Sequence, residues 1–272
     1  MAKLCVIGPL DIGQYSKSPL IHTFLLKQAK IKGKYLAIGS TNLPTTIKQL
    51  IHQKYHGFNL TIPHKIAILP CLNKIDHAAQ KIGAVNTVKI IDGKLFGYNT
   101  DASGAVAYLA DKINIKKIKH PLIIGAGGAA RALIYGLKYI QKINDITILN
   151  RTDKKAQLLA KEFKIKCCKW AKRNALNKYD LIINATAAGM HNREPLDINL
   201  ANADKKAVIY DVVYAPLLTP FLQQAKKYHL QTVDGLGMLI YQAITAFNIW
   251  FDTNLKMSKK LYITVKNAKN KA

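Results

Sequence analysis

A glycine-rich turn between a strand pattern and a helix pattern constrains the fold of this chain more than any other feature. Residues 125–130 read G-A-G-G-A-A, follow the apolar run 121–124 and precede a helical pattern that opens at Arg131. Such glycines allow a tight turn and a close approach to pyrophosphate, and the free N–H groups of the helix start bind anions. The context predicts a dinucleotide site rather than a merely structural turn, with contacts from Gly125, Ala126, Gly127, Gly128 and Ala129.

The end of the next predicted strand indicates which dinucleotide is bound. In NAD sites an acidic residue at that strand end holds the ribose 2′-hydroxyl, whereas here the strand 146–149 is followed by Asn150, Arg151 and Thr152. The guanidinium fork suits a 2′-phosphate, and Lys155 can add positive charge one turn later. We therefore predict NADP as cofactor; Arg151 as a solvated surface residue is the alternative, and the nearby Asp153 leaves some use of NAD open.

Strand and helix patterns alternate along the chain, which predicts an α/β fold with a largely parallel sheet. Ser18-Pro19 reads as a helix start with Ser18 as N-cap, and a second helix is predicted to begin at Asp101. Asp92-Gly93 is a favoured turn between two strands of a hairpin. The predicted strands of the first part are 4–8, 35–38, 57–62, 84–91 and 94–98. Residues of about 102–234 then form one nucleotide-binding unit.

Composition limits the class of protein. The chain has 272 residues, 49% of them hydrophobic, which is enough for two buried cores. It contains no apolar run long enough for a membrane span, and its start reads directly into a strand without a signal-peptide pattern, so we expect a cytoplasmic protein. The four cysteines form no C-x-x-C pair, so we expect reduced thiols and no resident metal.

The charge is strongly basic, with 41 Lys and Arg against 15 Asp and Glu and a net charge of +26. The lysines are spread along the chain rather than grouped in blocks, so we expect neither nucleic acid nor a membrane as the main partner. A positive field would instead help to attract an anionic substrate and cofactor. The densest stretch lies in the tail, at Lys256, Lys259, Lys260, Lys266, Lys269 and Lys271.

Polar residues cluster in the otherwise apolar first part of the chain. The segments are S-K-S-P at 16–19, N-L-T-I-P-H-K at 59–65, G-A-V-N-T at 83–87 and N-T-D at 99–101. Ligands of open α/β sheets lie at the carboxyl ends of strands. Thr61, Lys65 and Asp101 fall just beyond such ends, and we predict a small-molecule site there.

These segments, in this order, resemble the shikimate dehydrogenase family. So do N-A-T-A-A-G-M at 184–190, the segment 214–221 and G-L-G-M-L-I-Y-Q at 235–242, and the resemblance runs from about residue 4 to 250. It implies a substrate-binding domain (1–101 with 235–272), a Rossmann NADP-binding domain (102–234) and an active-site cleft between them. It also implies a monomer or a homodimer.

The resemblance further implies reversible, NADP-dependent reduction of 3-dehydroshikimate to shikimate, a step towards chorismate and the aromatic amino acids. Lys65 and Asp101 would handle the hydroxyl proton, with the formal base left open and a helix N-cap as the alternative for Asp101. Ser16 and Ser18 would bind the substrate carboxylate. The other implied substrate contacts are Thr61, Asn86, Tyr214 and Gln242, and the other implied cofactor contacts are Thr186, Val212, Gly235 and Met238, the last with plain helix packing as its alternative.

Three alternatives remain at this point. The sister activity is a quinate/shikimate dehydrogenase with NAD or dual cofactor use, against which Arg151 and the two serines argue. A basic nucleic-acid-binding protein could retain a dinucleotide fold, and folate-linked dehydrogenases and glutamyl-tRNA reductase share the Rossmann half but lack the N-terminal motifs. The chain also departs from the family pattern: segment 8–16 is longer, Tyr15 replaces a common His, and His64 replaces a frequent Phe.

Overall fold

The computed structural model describes residues 1–190 and 193–268, and the chain divides into two compact units. One unit contains Met1–Gly104 and Ile240–Ala272, and the other contains Ala105–Leu239. In the described residues each unit holds a six-stranded sheet with helices around it. Lys269 and Lys271 of the basic tail lie outside the described residues.

The first sheet is mixed, with strand order β2-β1-β3-β5-β6-β4. Its strands are Ala2–Gly8 (β1), Gly33–Gly39 (β2), Gly57–Leu60 (β3), Lys74–Ile75 (β4), Thr87–Ile91 (β5) and Lys94–Tyr98 (β6). Strands β2, β1 and β3 run parallel, whereas β5 is antiparallel to both β3 and β6. The predicted hairpin is confirmed, because Asp92 (φ 49°) and Gly93 (φ 74°) both adopt the positive φ of a tight hairpin turn.

The second sheet is entirely parallel, with strand order β12-β11-β10-β7-β8-β9. Its strands are Pro121–Ile124 (β7), Thr147–Leu149 (β8), Lys166–Cys168 (β9), Leu181–Asn184 (β10), Val208–Asp211 (β11) and Gln231–Val233 (β12). This is the doubly wound Rossmann order, in which the chain reverses direction across the sheet between β7 and β10. The predicted α/β class and Rossmann domain are therefore confirmed.

Helices cover both sheets. They are Ile12–Tyr15 (α1), Ser18–Gln28 (α2), Leu43–His52 (α3), His64–Ala67 (α4), His77–Ile82 (α5), Asp101–Lys112 (α6), Gly128–Tyr135 (α7), Asp153–Phe163 (α8), Pro220–Lys227 (α9), Leu236–Phe251 (α10) and Lys259–Asn267 (α11). A π-helical turn, Gly136–Ile140, extends α7. None of the helices in the described part of the chain combines the length and the apolar character that crossing a bilayer demands.

Two local predictions are wrong, and both errors lie near the candidate site. Helix α2 begins at Ser18 itself, so the N-cap is Lys17 and not Ser18. The strand predicted at 84–91 begins only at Thr87, because the N–H of Val85 donates to the carbonyl of Lys65 (2.8 Å) instead of joining the sheet. That bond fastens the start of α4 to the neighbouring loop.

The core of the first unit includes its C-terminal helices. Ala246 and Trp250 of α10 pack with Leu4, Val6 and Tyr35 of the parallel strands. The indole Nε1 of Trp250 also donates to the carbonyl of Val88 on β5 at 2.9 Å. The residues after 239 are thus an integral part of the first unit.

Candidate active site

A buried ion pair joins the ends of two neighbouring segments in the first unit. Lys65 lies on α4 just beyond β3, and Asp101 is the first residue of α6 after β6. Lys65 Nζ donates to Asp101 Oδ2 at 2.6 Å, and the two side chains are only 18% and 7% exposed. Residues 36 apart in sequence therefore form one charge-assisted contact.

Asn86 connects this pair to a wider network. The two hydrogens of its Nδ2 are shared among three acceptors, Asp101 Oδ1 (2.7 Å), Thr100 Oγ1 (2.9 Å) and Gln242 Oε1 (3.3 Å). The backbone N–H of Thr100 donates back to Asn86 Oδ1 at 2.8 Å. Both carboxylate oxygens of Asp101 therefore accept a hydrogen bond, which fixes the orientation of the carboxylate and of Lys65.

The start of α6 is capped by another residue. Asn99 Oδ1 accepts hydrogen bonds from the N–H groups of Asp101 (3.1 Å) and Ala102 (3.3 Å). This is the bonding pattern of a helix-capping side chain. The Asp101 carboxylate points instead to Lys65 and Asn86, so the capping alternative for Asp101 is not needed.

A second row of buried polar residues supports Asn86. Asn59 on β3 donates to the carbonyl of Asn86 (3.1 Å) and to Thr87 Oγ1 (2.9 Å), and it accepts from Tyr35 Oη (2.7 Å). Burial raises the pKa of Tyr35 well above its usual value, so its hydroxyl remains a donor. The sequence reasoning did not include Asn59, Thr87 or Thr100 in the site. A signal existed, because polar residues in an otherwise apolar buried strand need partners.

The remaining predicted substrate residues lie outside this network. Ser16 and Ser18 form one turn in which the N–H of Ser18 donates to Ser16 Oγ at 3.3 Å. Thr61 is partly exposed beyond β3, and Tyr214 belongs to the second unit, in the segment after β11. The structure thus brings together Lys65, Asn86, Asp101 and Gln242 by hydrogen bonds.

The glycine turn of the second unit has the conformation that its sequence predicts. Gly125 adopts φ +119°, where a side chain is strained, and a Cβ there would lie 2.9 Å from Cγ2 of Thr186. Gly127 is the N-cap of α7, and a Cβ there would meet no atom of the described residues within 4 Å beyond the glycine and its chain neighbours. Gly125 therefore packs against protein, whereas Gly127 faces open space at a helix N-terminus. This arrangement fits a bound pyrophosphate.

A cavity of ≈ 250 Å³ lies beside this turn. Its lining consists of Ala126, Gly127, Asn150, Arg151, Thr152 and Lys155, all predicted cofactor contacts. Two cationic side chains thus border a space that begins at the glycine turn, as a 2′-phosphate requires.

A buried hydrogen-bond network in the second unit includes Thr186, another predicted cofactor contact. Asp211 accepts from Thr219 Oγ1 (2.7 Å), Asn184 Nδ2 (3.0 Å) and the N–H of Val213 (3.0 Å). Asn184 Oδ1 in turn accepts from Thr186 Oγ1 at 2.7 Å. Burial raises the pKa of Asp211 to about 6 despite these bonds. The sequence reasoning did not identify Asp211 or Thr219, although both lie in otherwise apolar surroundings.

Val212 and Gly235 are connected to this network through the backbone, and Met238 follows on α10. The N–H of Val212 donates to the carbonyl of Asn184 at 3.1 Å. A Cβ on Gly235 would overlap the carbonyl oxygen of Val212, so the backbone must approach closely at this point. Met238 is 7% exposed and packs as part of α10.

Two family models match the chain. The model for the shikimate dehydrogenase substrate binding domain matches residues 10–88, and the model for shikimate / quinate 5-dehydrogenase matches residues 108–239. The first match contains Lys65 and Asn86, and the second contains the glycine turn and Arg151.

Individual proteins resemble the chain over nearly its whole length. Shikimate dehydrogenase (NADP(+)) from Methanococcus maripaludis (strain C7) is 42% identical, covering 91% of this chain and 90% of the relative. The crystal structure of shikimate 5-dehydrogenase from Thermus thermophilus in complex with NADP(H) and shikimate has a TM-score of 0.89 at 33% identity, covering 98% of this chain and 99% of the other. Quinate dehydrogenase from Corynebacterium glutamicum in complex with NAD has a TM-score of 0.87 at 27% identity, covering 97% and 98%.

Proposed function

The chain belongs to the shikimate dehydrogenase family, and from that premise we propose that it catalyses the reversible, NADP-dependent reduction of 3-dehydroshikimate to shikimate in aromatic amino acid biosynthesis. The observation that carries the proposal is the Lys65–Asp101 pair, held by Asn86. We assign substrate binding to residues 1–101 with 235–272 and NADP binding to 102–234. The compact units 1–104 with 240–272 and 105–239 support this assignment.

The ion pair supplies the proton side of the reaction. Reduction of the ketone requires a proton at the oxygen that becomes the hydroxyl, and oxidation requires its removal. Lys65 Nζ carries three protons, one of which bonds Asp101, so the ammonium can donate another to the substrate oxygen. Asp101 holds the ammonium in place. In the oxidation direction, Asp101 and Lys65 together take up the proton of the substrate hydroxyl. When bound, NADPH supplies the hydride and NADP⁺ accepts it in reverse.

Substrate recognition follows from the fixed polar groups. We assign the ring hydroxyls to Thr61, Asn86 and Gln242, the carboxylate to Ser16 and Ser18, and a contact beside the ring to Tyr214. The bonds of Asn86 and Thr100 to Gln242 Oε1 set the orientation of the glutamine amide. Prearranged donors and acceptors of this kind reject analogues that lack a hydroxyl, because a buried partner is then left unpaired.

NADP is assigned to the second unit by the same reasoning. The N-terminus of α7, with Gly125, Ala126, Gly127, Gly128 and Ala129, would hold the pyrophosphate, and Asn150, Arg151, Thr152 and Lys155 the 2′-phosphate end. Thr186, Val212, Gly235 and Met238 would lie along the nicotinamide end. The open side of Gly127 and the cavity beside it support this assignment.

We also propose a cytoplasmic location and small-molecule partners only, for a monomer or homodimer. All four cysteines lie in the described residues and are free thiols, which fits a reducing compartment.

An assay of reduced-cofactor formation tests the activity. Shikimate, quinate and a deoxy analogue are each assayed with NADP and with NAD. We expect efficient turnover of shikimate with NADP and much slower turnover of the other combinations. Efficient oxidation of quinate with NAD would instead identify the sister activity.

Substitutions in the ion pair test the mechanism. Lys65→Ala and Asp101→Asn are each expected to lower kcat by about 10²-fold or more, the range for losing positioned acid–base catalysis, with little change in NADP affinity. Steady-state kinetics and titration of NADPH fluorescence measure the two effects. Lys48→Ala on α3, an exposed lysine, is the control. Normal turnover in both ion-pair variants would refute the assignment.

A further inference from the structure

Lys17 has an environment unlike that of the chain's surface lysines. It lies between Ser16 and Ser18 and is 9% exposed. Its Nζ donates to the carbonyl of Val265 (3.1 Å) and to that of Ala268 (2.9 Å), 248 and 251 residues further along the chain. A buried ammonium thus joins the turn of residues 16–18, called the serine turn below, to the end of α11.

The partners of Lys17 are groups that need a cation. The last carbonyls of a helix have no partner within the helix, and the helix dipole places negative charge at that end. Burial lowers the pKa of Lys17 below its usual value. The two carbonyl bonds offset part of the cost of keeping the ammonium out of water.

Helix α11 is held at both ends. Its N-cap, Ser258, accepts from the N–H of Leu261 at 3.2 Å, and the side chains of Leu261 and Val265 are fully buried. The helix packs against α2, which begins at Ser18. The serine turn therefore rests on an anchored element rather than on a loose tail.

Lys17 also belongs to the backbone that places the two serines. Its carbonyl accepts from the N–H of Ile21 (3.1 Å) in the first turn of α2, and Ser16 Oγ accepts from the N–H of Ser18. Residues 16–18 therefore form one hydrogen-bonded turn. A side chain that fixes the middle residue fixes both neighbouring hydroxyls.

We propose that Lys17 is a positioning residue, which clamps the serine turn to the C-terminal end of α11 and thereby sets the hydroxyls of Ser16 and Ser18 for the substrate carboxylate. This inference rests on the proposed function, since it takes those hydroxyls as the carboxylate ligands. It assigns to α11, about 240 residues from the turn, a share of the affinity for shikimate.

The test compares Lys17→Met, which keeps the stem but removes the donor, with Lys17→Arg, which keeps a charged donor. For the full-length protein with NADP, kcat and KM are measured with shikimate and with its methyl ester, which has no carboxylate. Lys17→Met is expected to raise the KM for shikimate about tenfold, the scale of a lost charge-assisted contact, with kcat and NADP affinity nearly unchanged. The KM for the ester should rise much less, and Lys17→Arg should restore most of the loss.

Two further variants separate positioning from mere stability. Lys89→Met removes a matched contact to another helix, since Lys89 Nζ donates to the carbonyl of Ile249 on α10 at 2.7 Å. It should leave the ratio of the two KM values unchanged even if the melting temperature falls. Deletion of residues 268–272 removes one acceptor and should reproduce the Lys17→Met ratio in part, which keeps the test decisive if Lys17→Met does not fold.

An equal rise of KM for acid and ester in Lys17→Met, or no rise in either, would overturn the clamp. Absence of shikimate turnover in the unmodified protein would instead overturn the proposed function. The two failures are therefore distinguishable.

Discussion

At the scale of the residue, we expect Arg151 to contribute most to the choice between NADP and NAD. It lines the cavity beside the glycine turn, at the position where an acidic residue would hold an unphosphorylated ribose. Arg151→Ala is expected to weaken NADP binding by about ten- to a hundredfold, the scale of a lost charged hydrogen bond, and to change NAD binding little. Fluorescence titration with both reduced cofactors measures the two affinities.

The control for Arg151 is its neighbour Lys154 on α8, which is exposed but does not line the cavity. Lys154→Ala should leave the preference for NADP in place. An equal loss of affinity for both cofactors in Arg151→Ala would show that the residue does not read the 2′-phosphate.

Asp211 gives the protein a pH dependence opposite to that of most carboxylates. Burial raises its pKa from 3.8 to about 6, so the folded chain binds a proton more tightly than the unfolded chain. The corresponding stabilisation is complete below pH 3.8 and is lost as the pH rises through about 6. The difference in pKa corresponds to roughly 3 kcal/mol.

Asp211→Asn keeps the shape of the protonated acid but does not titrate. The free energy of unfolding of Asp211→Asn minus that of the unmodified protein should therefore increase between about pH 4 and about pH 7, by up to roughly 3 kcal/mol. Urea unfolding at several pH values, followed by circular dichroism, measures this difference.

Asp145 is the control of opposite sign. The hydrogen bond from Lys166 lowers the pKa of Asp145, so its contribution to stability is present above its unfolded pKa and is lost as the pH falls. Asp145→Asn should therefore lose stability relative to the unmodified protein as the pH rises. A flat difference for Asp211→Asn would mean that Asp211 is not held in a desolvated site.

At the scale of the element, two glycines in the turn between β7 and α7 have different roles. Gly125 packs against the protein, whereas Gly127 faces the space proposed for the cofactor. Gly127→Ala places a methyl group beside the cavity, where only chain neighbours lie within 4 Å among the residues that the structure describes. It should weaken NADP binding about tenfold or more, because the methyl group competes with the ligand, and it should lower the unfolding midpoint less than Gly125→Ala does. Titration and thermal unfolding measure these two quantities.

Gly125→Ala and Gly13→Ala are the comparisons for that prediction. Gly125 has φ +119° and lies against Thr186, so its substitution should lower both stability and affinity. Gly13 on α1 also has open space around the position of a Cβ, and it belongs to the other compact unit. Its substitution should therefore change neither stability nor affinity for NADP. A fall in the melting temperature with Gly127→Ala equal to that with Gly125→Ala would contradict the distinction.

Elements with a local signal could be predicted from the sequence. The glycine turn and the Asp92-Gly93 hairpin depend on a few adjacent residues, and the structure contains both. Local signals also mark α3, capped by Asn42, and α9, capped by Thr219. Strands β4 and β9 have two and three residues, too few for a hydrophobic period to be recognisable.

The parts that sequence reasoning missed depend on contacts between distant residues. Asn86 and Gln242 are 156 positions apart, and no local pattern shows that their amides meet. The same holds for Ser18, which has a local N-cap signal but lies inside α2, next to a lysine bound to the end of α11. The site motifs could be recognised from the resemblance, whereas the hydrogen bonds by which Asn59, Thr87 and Thr100 support Asn86 required coordinates.

At the scale of the whole molecule, the net charge of +26 exceeds what the site chemistry needs. Two of the 15 acidic residues are taken up inside the protein: Asp101 pairs with Lys65, and Asp211 is buried in the second unit. Most of the described lysines without an acidic partner are exposed on the surface, and Lys17 is an exception. Because both the proposed substrate and the cofactor are anions, this surface should speed their encounter with the protein.

Salt should therefore slow the reaction through kcat/KM rather than through kcat. Raising KCl from about 0.01 M to about 1 M shortens the screening length from about 30 Å to about 3 Å. We expect kcat/KM for NADP to fall about tenfold or more, the lower range of electrostatic steering, and kcat/KM for shikimate to fall less because it carries fewer charges. Initial rates measure both values, with the other of the two compounds at saturating concentration.

The methyl ester of shikimate, an uncharged substrate of nearly the same shape, is the matched control and should show almost no dependence on salt. Equal slopes for ester and acid would mean that the salt acts on the protein itself, and the basic surface would then have no role in attracting substrate.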